Sequence, residues 1–489
     1  MWVSAGGDSN RTGSRLQDIT VAVEMAEPLR HRIAQLSLVD GWVPIAVQVL
    51  AALLLLYVVW AHADRRGWRR LAIAALTGMP LAVWAHHYIS SIGVSGEAAP
   101  RRLWLWIGLI GVALSLIFLT WRRASWWRRG ASVLVVPLCV VCAALSVNTW
   151  VGYFPKVRTA WNQLTISPLP DQTDRVGVTA MQLSNAKPDR GVVVPVRINS
   201  SASGFAHRRE FVYLPPIWFA SKPPPRLPTV MMIGSALNTP ADWLRVGNAV
   251  ATIDDFATQH EGSAPAVVFV DATGAFDNDT ECVNGPRGNA ADHLTKDVVP
   301  FMASNFGVSA ERAHWGVAGW SMGGTCAVDL AVMHPDLFST FVDIAGDIGP
   351  NTGNREHSVA TLYGGDADAW AAFDPTTVMK KHGRYTGVTG WFEVPGSPDG
   401  TPHDPASNPE GQDLAARSLS ATAATQGITS TVVTRSGKHD WLFASQAFGD
   451  ALPWLAAQLG TPAVPRVAMP NSTTDASGPT GIPSLAQRH

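Results

Sequence analysis

Hydrophobic and polar positions divide the chain into an apolar first part and an alternating second part. Residues 1–40 form a polar tail. Long apolar stretches follow, and each is long enough to cross a bilayer core of about 30 Å as a helix. Tryptophan or tyrosine stands at several of their ends, as is typical of membrane interfaces. We therefore predict four transmembrane helices within residues 41–154, at Trp42–Ala61, Leu71–Val94, Leu103–Trp121 and Ala131–Phe154.

Arginine is concentrated in two of the three loops between these stretches. The first loop (HADRRGWRR) and the third loop (RRASWWRRG) are arginine-rich, whereas the second (SGEAAPRR) has fewer arginines and a glutamate. Positively charged loops stay in the cytoplasm. Four spans then place the N-terminus and everything after Phe154 outside, although Arg30 and Arg32 oppose this orientation. The predicted location is the plasma membrane, with a multi-pass anchor and an extracytoplasmic second part.

Short apolar runs bounded by proline or glycine follow a predicted linker, residues 155–189. They alternate with helical stretches, as buried parallel strands and their covering helices do. Residues 190–460 therefore predict an α/β domain with a mostly parallel, doubly wound sheet. Residues 461–489 are rich in proline, serine and glycine and predict a disordered tail. The predicted strands are Arg190–Ser200 and Arg209–Pro216, as an antiparallel pair, then Pro228–Ser235, Pro265–Gly274, Ala313–Trp320, Phe341–Gly349, Thr389–Gly396 and Ile428–Gly437.

The amino-acid composition mainly excludes certain partners and cofactors. The net charge is −1, so no overall field attracts nucleic acid. We find no glycine-rich phosphate loop, metal-ligand spacing or basic aromatic patch, and we predict no cofactor, no metal and no nucleic-acid partner. Cys139 and Cys142 are interpreted as apolar residues of a membrane helix. Cys282 and Cys326 leave two alternatives, a bridge in an oxidising compartment or free buried thiols.

The strongest chemical motif follows the predicted strand Ala313–Trp320. Gly319-Trp320-Ser321-Met322-Gly323 matches G-x-S-x-G, in which a strand turns sharply into a helix and the glycines leave room for the turn. The next residues, MGGTCAVDLAVMHP, predict a helix ended by proline. We predict that Ser321 is a nucleophile with its hydroxyl exposed above the sheet edge. The alternative is a tight glycine turn with a bystander serine.

A serine nucleophile needs a base and an acid, and in this arrangement the acid precedes the histidine along the chain. His439 lies in GKHDW after the last predicted strand and is the predicted base; a solvated surface histidine is the alternative. Asp399, in a Pro-Asp-Gly turn after Thr389–Gly396, is the predicted acid, with Asp404 in reserve. Ordinary turn chemistry is the competing interpretation of Asp399.

Backbone N–H groups must stabilise the oxyanion that forms when a serine attacks an ester. The N–H of Met322, directly after the nucleophile, is the first predicted donor. The second is expected from the loop after the strand Pro228–Ser235, at Ser235 or its neighbour Ala236. Gly234 lets the backbone approach the substrate there.

Four motifs resemble, in the same order, the Putative esterase family that includes esterase D, feruloyl esterases and the antigen 85 mycolyltransferases. They are VYLPP, TECVNG, GWSMGG and GKHDW. The resemblance covers about Arg190 to Leu459. It implies an α/β-hydrolase fold with Ser321, Asp399 and His439 as the catalytic triad. It also implies that the substrates are carboxylic esters of sugars, lipids or cell-wall components.

The loop after the third predicted strand departs from the antigen 85 pattern. Antigen 85 proteins carry Asp-Gly-Leu-Arg where this chain has Ile233-Gly234-Ser235-Ala236, which argues against mycolyl transfer to trehalose. Those proteins are also secreted, whereas here we expect a four-span anchor. A tethered site facing the outer leaflet suits lipid-linked esters. Aminoacyl-phosphatidylglycerol and mycolate esters of the envelope are two candidates.

The leading hypothesis is a membrane-anchored serine esterase of the cell envelope. One alternative is an acyltransferase that uses the same triad, and another is a catalytically inactive relative that binds envelope carbohydrate or protein. A third makes the four spans a small transporter or lipid flippase. Candidates for all three triad members are present in order, which favours an enzyme, and the spans contain few charges, which favours an anchor. The sequence does not specify an oligomeric state.

Overall fold

The computed structural model describes residues 32–60, 67–91, 99–122, 125–165, 168–169, 171–396 and 411–470. The chain divides into two compact units. The first comprises residues 1–87 and 99–167, and the second comprises residues 88–98 and 168–489.

The first unit is a set of helices with apolar outer surfaces. Leu116 and Cys139 are fully buried between the helices, whereas Phe118 is 87% exposed. Apolar side chains that face outward on long helices fit a lipid environment. The helices are α1 (Trp42–Trp60), α2 (Gly67–Ser91), α3 (Arg101–Thr120), α4 (Trp126–Val151) and the short α5 (Val157–Leu164).

The structure supports three of the four predicted spans. Among the described residues, α1, α3 and α4 are long and apolar enough to cross a membrane. The second predicted span, Leu71–Val94, forms the helix α2, but α2 is not among them. Its sequence is interrupted by Pro80, His86 and His87, which lower its hydropathy. The prediction of four equivalent spans therefore has to be corrected to three apolar helices and one less apolar helix.

Glycines hold α2 against α3. A Cβ atom on Gly78 would lie 2.5 Å from the carbonyl oxygen of Gly108, and one on Gly111 would lie 2.8 Å from the Cα of Gly78. The hydroxyls of Thr77 and Ser115 are 2.6 Å apart at the same contact. Small residues and hydroxyl pairs are typical of helix packing in membranes. Packing of this kind keeps α2 in the unit although it is less apolar than its neighbours.

The second unit is built on one large sheet. Its eight strands, counted in the described residues, have the order β1-β2-β4-β3-β7-β8-β9-β10. β2 pairs antiparallel with β1 and β4, and all other neighbours are parallel. The strands are β1 (Val192–Val196), β2 (Glu210–Leu214), β3 (Thr229–Ile233), β4 (Ala266–Val270), β7 (Trp315–Trp320), β8 (Thr340–Ile344), β9 (Thr389–Gly396) and β10 (Thr429–Ser436), with β5 (Asn284–Gly285) and β6 (Gly288–Asn289) as a separate pair.

Helices connect the strands and cover the sheet. Every residue of β2, β3, β4, β7 and β8 is buried, so both faces of these strands are covered. This explains why they appear in the sequence as continuous apolar runs. The predicted α/β sheet is confirmed. The helices are α6 (Arg175–Leu183), α7 (Pro240–Arg245), α8 (Ala249–Gln259), α9 (Ala290–Asp292), α10 (Val299–Phe306), α11 (Met322–Met333), α12 (Arg355–Tyr363), α13 (Ala367–Phe373), α14 (Pro375–His382), α15 (Gln412–Thr425) and α16 (Trp441–Gln458).

The predicted linker, residues 155–189, contains regular structure. It includes α5 and α6, and Val178 of α6 is buried in the core of the sheet unit. The backbone of Val193 in β1 bonds to Asp171 and Thr173. The sheet unit therefore begins earlier than the residue 190 predicted from the sequence. At the other end, Thr431 donates to the carbonyl of Pro470, and residues 471–489 of the predicted tail lie outside the described residues.

A disulfide bond joins Cys282 and Cys326 across a sequence separation of 44 residues. Of the two alternatives left by the sequence, the structure shows the bridge. Cys282 lies in the long connection after β4, and Cys326 lies in the first half of α11. The bond therefore ties this connection to the helix that follows the G-x-S-x-G motif. Cys139 and Cys142 are buried, unbridged residues of α4.

Candidate active site

Ser321 occupies a strained turn between β7 and α11. Its backbone angles are φ 57° and ψ −123°, a region that side-chain-bearing residues rarely adopt. The N–H of Ser321 donates to the carbonyl of Ile344 in β8 at 2.8 Å. Such strain persists only where the surrounding structure enforces it, and it is concentrated at functional sites. The serine is thus held at the carboxyl end of the central parallel strands.

Two glycines make this turn sterically feasible. A Cβ atom on Gly319 would collide with the backbone of Gly323. A Cβ atom on Gly323 would lie 2.5 Å from the carbonyl oxygens of both Gly234 and Ile233. The start of α11 therefore packs directly on the end of β3. This contact places the loop after β3 beside Ser321, as the predicted oxyanion site requires.

Two buried carboxyl groups lie on β8 and α11. Asp343 of β8 accepts a hydrogen bond from the N–H of Gly346 at 2.7 Å. Burial, reinforced by the charge of Asp347, raises the pKa of Asp343 to about 7. Burial likewise raises the pKa of Asp329 well above its usual value, and the charges of Asp374 and Asp343 add to the effect. Burial therefore favours the neutral form of both carboxyls, which makes them weak sources of the negative charge that a catalytic imidazolium needs.

His439 lies against the residue that precedes Ser321. Its ring packs edge-on against the ring of Trp320, with 5.4 Å between centroids, and Trp320 directly precedes Ser321. The histidine stands between β10 and α16. The next residue, Asp440, caps α16 by accepting from the N–H of Phe443 at 2.9 Å. The structure therefore places the predicted base against the residue next to the predicted nucleophile, and the catalytic roles of both residues stay predictions.

A chain of tryptophans holds these loops together. The ring of Trp441 lies 4.6 Å from that of Trp320 and 5.2 Å from that of Trp243, measured between centroids. The indole N–H of Trp243 donates to the carbonyl of Ile233 at the end of β3, at 2.9 Å. Buried aromatic rings contribute large packing areas. One aromatic cluster thus positions the His439 loop, the turn at Ser321 and the loop after β3. This cluster was not predicted from the sequence.

The loop after β3 is shaped by polar contacts. The N–H of Ser235 donates to the side chain of Asn238 at 3.2 Å, and Leu237 has a positive φ of 63°. Arg208 donates to the carbonyl of Asn238 at 2.7 Å and pairs with Asp271. Burial alone would raise the pKa of Asp271, but its hydrogen bonds and ion pair with Arg208 lower it. The predicted Ser235 donor is therefore engaged within its own loop, which leaves the N–H of Ala236 as the other candidate.

Both predicted acids, Asp399 and Asp404, lie outside the described residues. The strands that lead to the acid and the base are nevertheless described. β9 and β10 run parallel, and their final residues, Gly396 and Ser436, are partners in the register. Asp399 and His439 follow these two residues at the same distance along the chain. The last residues of β9 and β10 therefore lie side by side.

The strand order, a serine at the strained turn after β7 and a histidine after β10 define an α/β-hydrolase. A family model described as Esterase, Putative esterase, matches residues 205–455. The chain belongs to this family, as the four sequence motifs predicted. The protein is accordingly a hydrolase of carboxylic esters.

The individual proteins that resemble this chain share low sequence identity with it. An uncharacterized protein of Corynebacterium glutamicum is 28% identical over 374 residues, which cover 74% of this chain and 83% of that protein. A ferulic acid esterase structure is 16% identical, with a TM-score of 0.42, and covers 55% of this chain and 99% of its own. An S-formylglutathione hydrolase from Agrobacterium tumefaciens is 18% identical, with a TM-score of 0.41 and coverages of 54% and 99%. Mycobacterium tuberculosis MPT51 is also 18% identical, with a TM-score of 0.37 and the same coverages.

Replacement of Gly323 by alanine tests the packing of the turn. We expect Gly323→Ala to lower the free energy of unfolding by about 1–3 kcal/mol, because the new methyl group would meet two backbone carbonyls. Displacement of the serine should also lower ester hydrolysis about 100-fold. Chemical denaturation and hydrolysis of p-nitrophenyl acetate measure the two effects.

The matched control is Gly449→Ala in α16, where the nearest atom to the new methyl group, Thr252 Cγ2, is 3.7 Å away. Gly449→Ala should leave ester hydrolysis nearly unchanged and should not lower the free energy of unfolding, because alanine is about 0.5–1 kcal/mol more favourable than glycine inside a helix. Wild-type activity in Gly323→Ala would contradict the tight packing of α11 on β3.

Proposed function

We propose that this protein is a membrane-anchored, extracytoplasmic serine esterase that acts on esters of envelope lipids or sugars. The observation that carries the proposal is the strained turn at Ser321, with the ring of His439 packed on the neighbouring Trp320. Ser321 is the nucleophile, His439 the base and Asp399 the acid. A glycine turn with a bystander serine does not account for a histidine placed beside it.

In the first half of the reaction, Ser321 Oγ attacks the ester carbonyl while His439 takes its proton. The negative charge that develops on the carbonyl oxygen is stabilised by backbone N–H groups. The N–H of Met322 belongs to the first turn of α11, where donors have no partner within the helix. Ser235 or Ala236 supplies the second donor. The alcohol then leaves with the proton held by His439, and the acyl group remains on Ser321.

In the second half, His439 removes a proton from water and the water oxygen attacks the acyl carbon. The bond between Ser321 Oγ and the acyl group then breaks, the carboxylic acid leaves, and His439 returns the proton to Ser321 Oγ. The carboxylate of Asp399 accepts from the other ring nitrogen of His439 and stabilises the imidazolium. Support for this role comes from the register of the sheet, because Gly396 and Ser436 end neighbouring parallel strands. The buried Asp343 and Asp329 are poorer candidates for the acid, because burial raises the pKa of both carboxyls.

Exposed apolar side chains on the loops around the site support a lipid ester as substrate. Phe276 follows β4, Ile348 follows β8, and Leu442 begins α16 directly beyond the His439 loop. All three are exposed. The strands that precede them end at the same edge of the parallel sheet as β7, which carries Ser321. Large apolar side chains left exposed near a site favour an apolar ligand.

The extracytoplasmic location is supported by two features. The disulfide between Cys282 and Cys326 is typical of an oxidising compartment. The arginine-rich first and third loops favour the cytoplasm, and with four crossings the hydrolase unit then lies on the other side. This requires that α2 crosses the membrane together with the three more apolar helices.

Labelling with a fluorophosphonate tests the nucleophile. The full-length protein in membranes should become labelled, whereas Ser321→Ala should not, and its ester hydrolysis should fall by roughly 10⁴–10⁶-fold because the attacking atom is removed. The control is Ser221→Ala, an exposed serine whose loss should change neither result. An absence of labelling in the folded wild type would favour the inactive, envelope-binding alternative.

The dependence of rate on acyl-chain length tests the lipid substrate. Phe276→Ser and Leu442→Ser should lower kcat/KM for p-nitrophenyl decanoate about tenfold, because they remove apolar contacts with the chain. The value for p-nitrophenyl acetate should change little. Leu183→Ser, at an equally exposed leucine at the end of α6, is the control. Equal losses for both esters would contradict acyl-chain binding at these residues.

Reporter fusions test the orientation. Alkaline phosphatase fused after residue 489 should be active and green fluorescent protein there should be dark, because the C-terminus is expected outside the cytoplasm. Fusions after residue 66, in the first arginine-rich loop, should give the opposite pair of results. A fluorescent C-terminal fusion would mean an odd number of crossings and a cytoplasmic hydrolase unit.

A further inference from the structure

A compact group of potential metal ligands lies at the start of β2. It consists of His207, Glu210 and His293, whose ligand atoms all lie within 4.8 Å of one another. We call these three residues the β2 cluster. Glu210 and His293 have no exposed side-chain surface, and the side chain of His207 is 9% exposed. No part of the esterase mechanism uses them.

Distances within the β2 cluster match those between neighbouring ligands of one small cation. Glu210 Oε1 is 3.1 Å from His293 Nε2, and Glu210 Oε2 is 3.4 Å from His207 Nδ1. Tetrahedral Zn²⁺ with bonds of about 2.0–2.2 Å holds its ligand atoms about 3.3–3.6 Å apart. The two histidine nitrogens flank the carboxylate at nearly this spacing.

The outer nitrogens of both rings face hydrogen-bond acceptors. His207 Nε2 is 2.8 Å from the carbonyl oxygen of Ile198, and His293 Nδ1 is 3.3 Å from Asp297 Oδ2. A carbonyl or carboxylate oxygen only accepts, so the outer nitrogens carry the protons. In neutral rings the lone pairs then reside on the inner nitrogens, which face Glu210. Histidine ligands of metals show this pattern, with the outer N–H fixed by a carbonyl or carboxylate.

The inner side of the β2 cluster contains more acceptors than neutral rings can satisfy. Glu210 Oε2 is buried and accepts no hydrogen bond from the described residues. The inner nitrogen of His207, Nδ1, also lies 2.8 Å from the carbonyl oxygen of Arg208. A positive charge is therefore needed among these atoms, either as additional protons or as a cation.

One extra proton could reside on His293, because the effect of burial, which lowers the pKa of its ring, is outweighed by Glu210 and Asp297, which raise it. A second proton, on His207, would place two cationic rings in a stack with only 4.3 Å between centroids. Like charges this close repel each other. One divalent cation supplies the same total charge at the centre of the cluster, where it contacts Glu210 and both inner nitrogens and leaves the rings neutral.

We propose that His207, Glu210 and His293 bind one Zn²⁺ ion, with Asp297 fixing His293 from outside. Two imidazoles and one carboxylate are a ligand set that zinc commonly takes. The fourth position is open to the carbonyl oxygen of Arg208 or to water. The sequence shows no zinc-type spacing because Glu210 and His293 are separated by 83 residues and meet only in the folded sheet unit.

A zinc ion in the β2 cluster would stabilise the segments that support the loop after β3. His293 and Asp297 lie on the same π-helical turn, His293–Val298, and turns of this kind are rare and frequently occur at functional sites. Asp297 also accepts from the backbone N–H groups of Ala202 and Ser203. Between His207 and Glu210 stands Arg208, which holds the carbonyl of Asn238 in the loop after β3. The ion would thus have a structural role, without contact with the substrate.

Zinc content measures the proposal directly. The full-length protein, solubilised in detergent with any affinity tag removed, is stripped with a chelator, reloaded with ZnCl₂ and analysed by mass spectrometry. The wild type should hold one zinc ion per chain more than His207→Gln or Glu210→Gln. Zinc should raise the melting temperature of the wild type but not that of the two variants. His260→Gln, whose ring instead contacts the carbonyl of Phe256, is the matched control and should behave as the wild type.

The variant Asp297→Asn tests whether Asp297 orients His293 from outside the site or binds the zinc ion itself. This variant should still bind one zinc ion at saturation, but with an affinity reduced about 10–100-fold. Reloading with Co²⁺ in place of zinc should give the wild type a visible absorption band typical of four-coordinate cobalt, and His207→Gln should lack it.

Equal zinc content in the wild type and His207→Gln would overturn the proposal, as would a wild type that binds no zinc; the cluster would then be a protonated charge network. His207 decides the test if variants at the buried Glu210 or His293 do not fold, because its side chain reaches the surface. None of these measurements depends on ester hydrolysis, so the proposed function and the proposed metal site stand or fall separately.

Discussion

The contact between the start of α11 and the end of β3 determines the geometry of the active site. It exists because Gly323 has no side chain and can meet the carbonyl groups of Ile233 and Gly234. Without this approach, the left-handed turn at Ser321 would have no backbone to brace it and the loop after β3 would stand too far from the serine. The missing side chain of Gly323 therefore allows the turn at Ser321 and the loop after β3, the predicted oxyanion site, to lie next to each other.

Other interactions in the sheet unit maintain that contact from different sides. The disulfide at Cys326 ties α11 to the connection after β4, and the ring of Trp441 braces Trp320 from the His439 loop. Arg208 fixes the loop after β3 through Asn238. These residues come from distant parts of the chain, and each holds a different loop at the carboxyl edge of the same parallel strands. A rigid sheet with strained loops at that edge is a general solution for presenting a reactive side chain.

The helical unit follows different physics. Its outer surface is apolar, and its tightest contacts are between glycines such as Gly78 and Gly108, as expected where lipid replaces water as the surrounding medium. The prediction of four equal spans counted apolar residues along the chain. It did not include the close packing of α2 on α3 through glycines. Helix–helix contacts of this kind are invisible to hydropathy.

The sequence by itself determined the eight-stranded sheet, because buried parallel strands are continuous apolar runs. It also determined the sharp turn at Ser321, because the G-x-S-x-G motif requires glycine at fixed positions. Thr389–Gly396 was predicted with the bounds that the structure shows. The tertiary structure alone decided which of two options Cys282 and Cys326 take, how Ser235 is engaged, and that His207, Glu210 and His293 meet. Each of these depends on contacts between residues far apart in the chain, whereas local patterns encode only the neighbours along it.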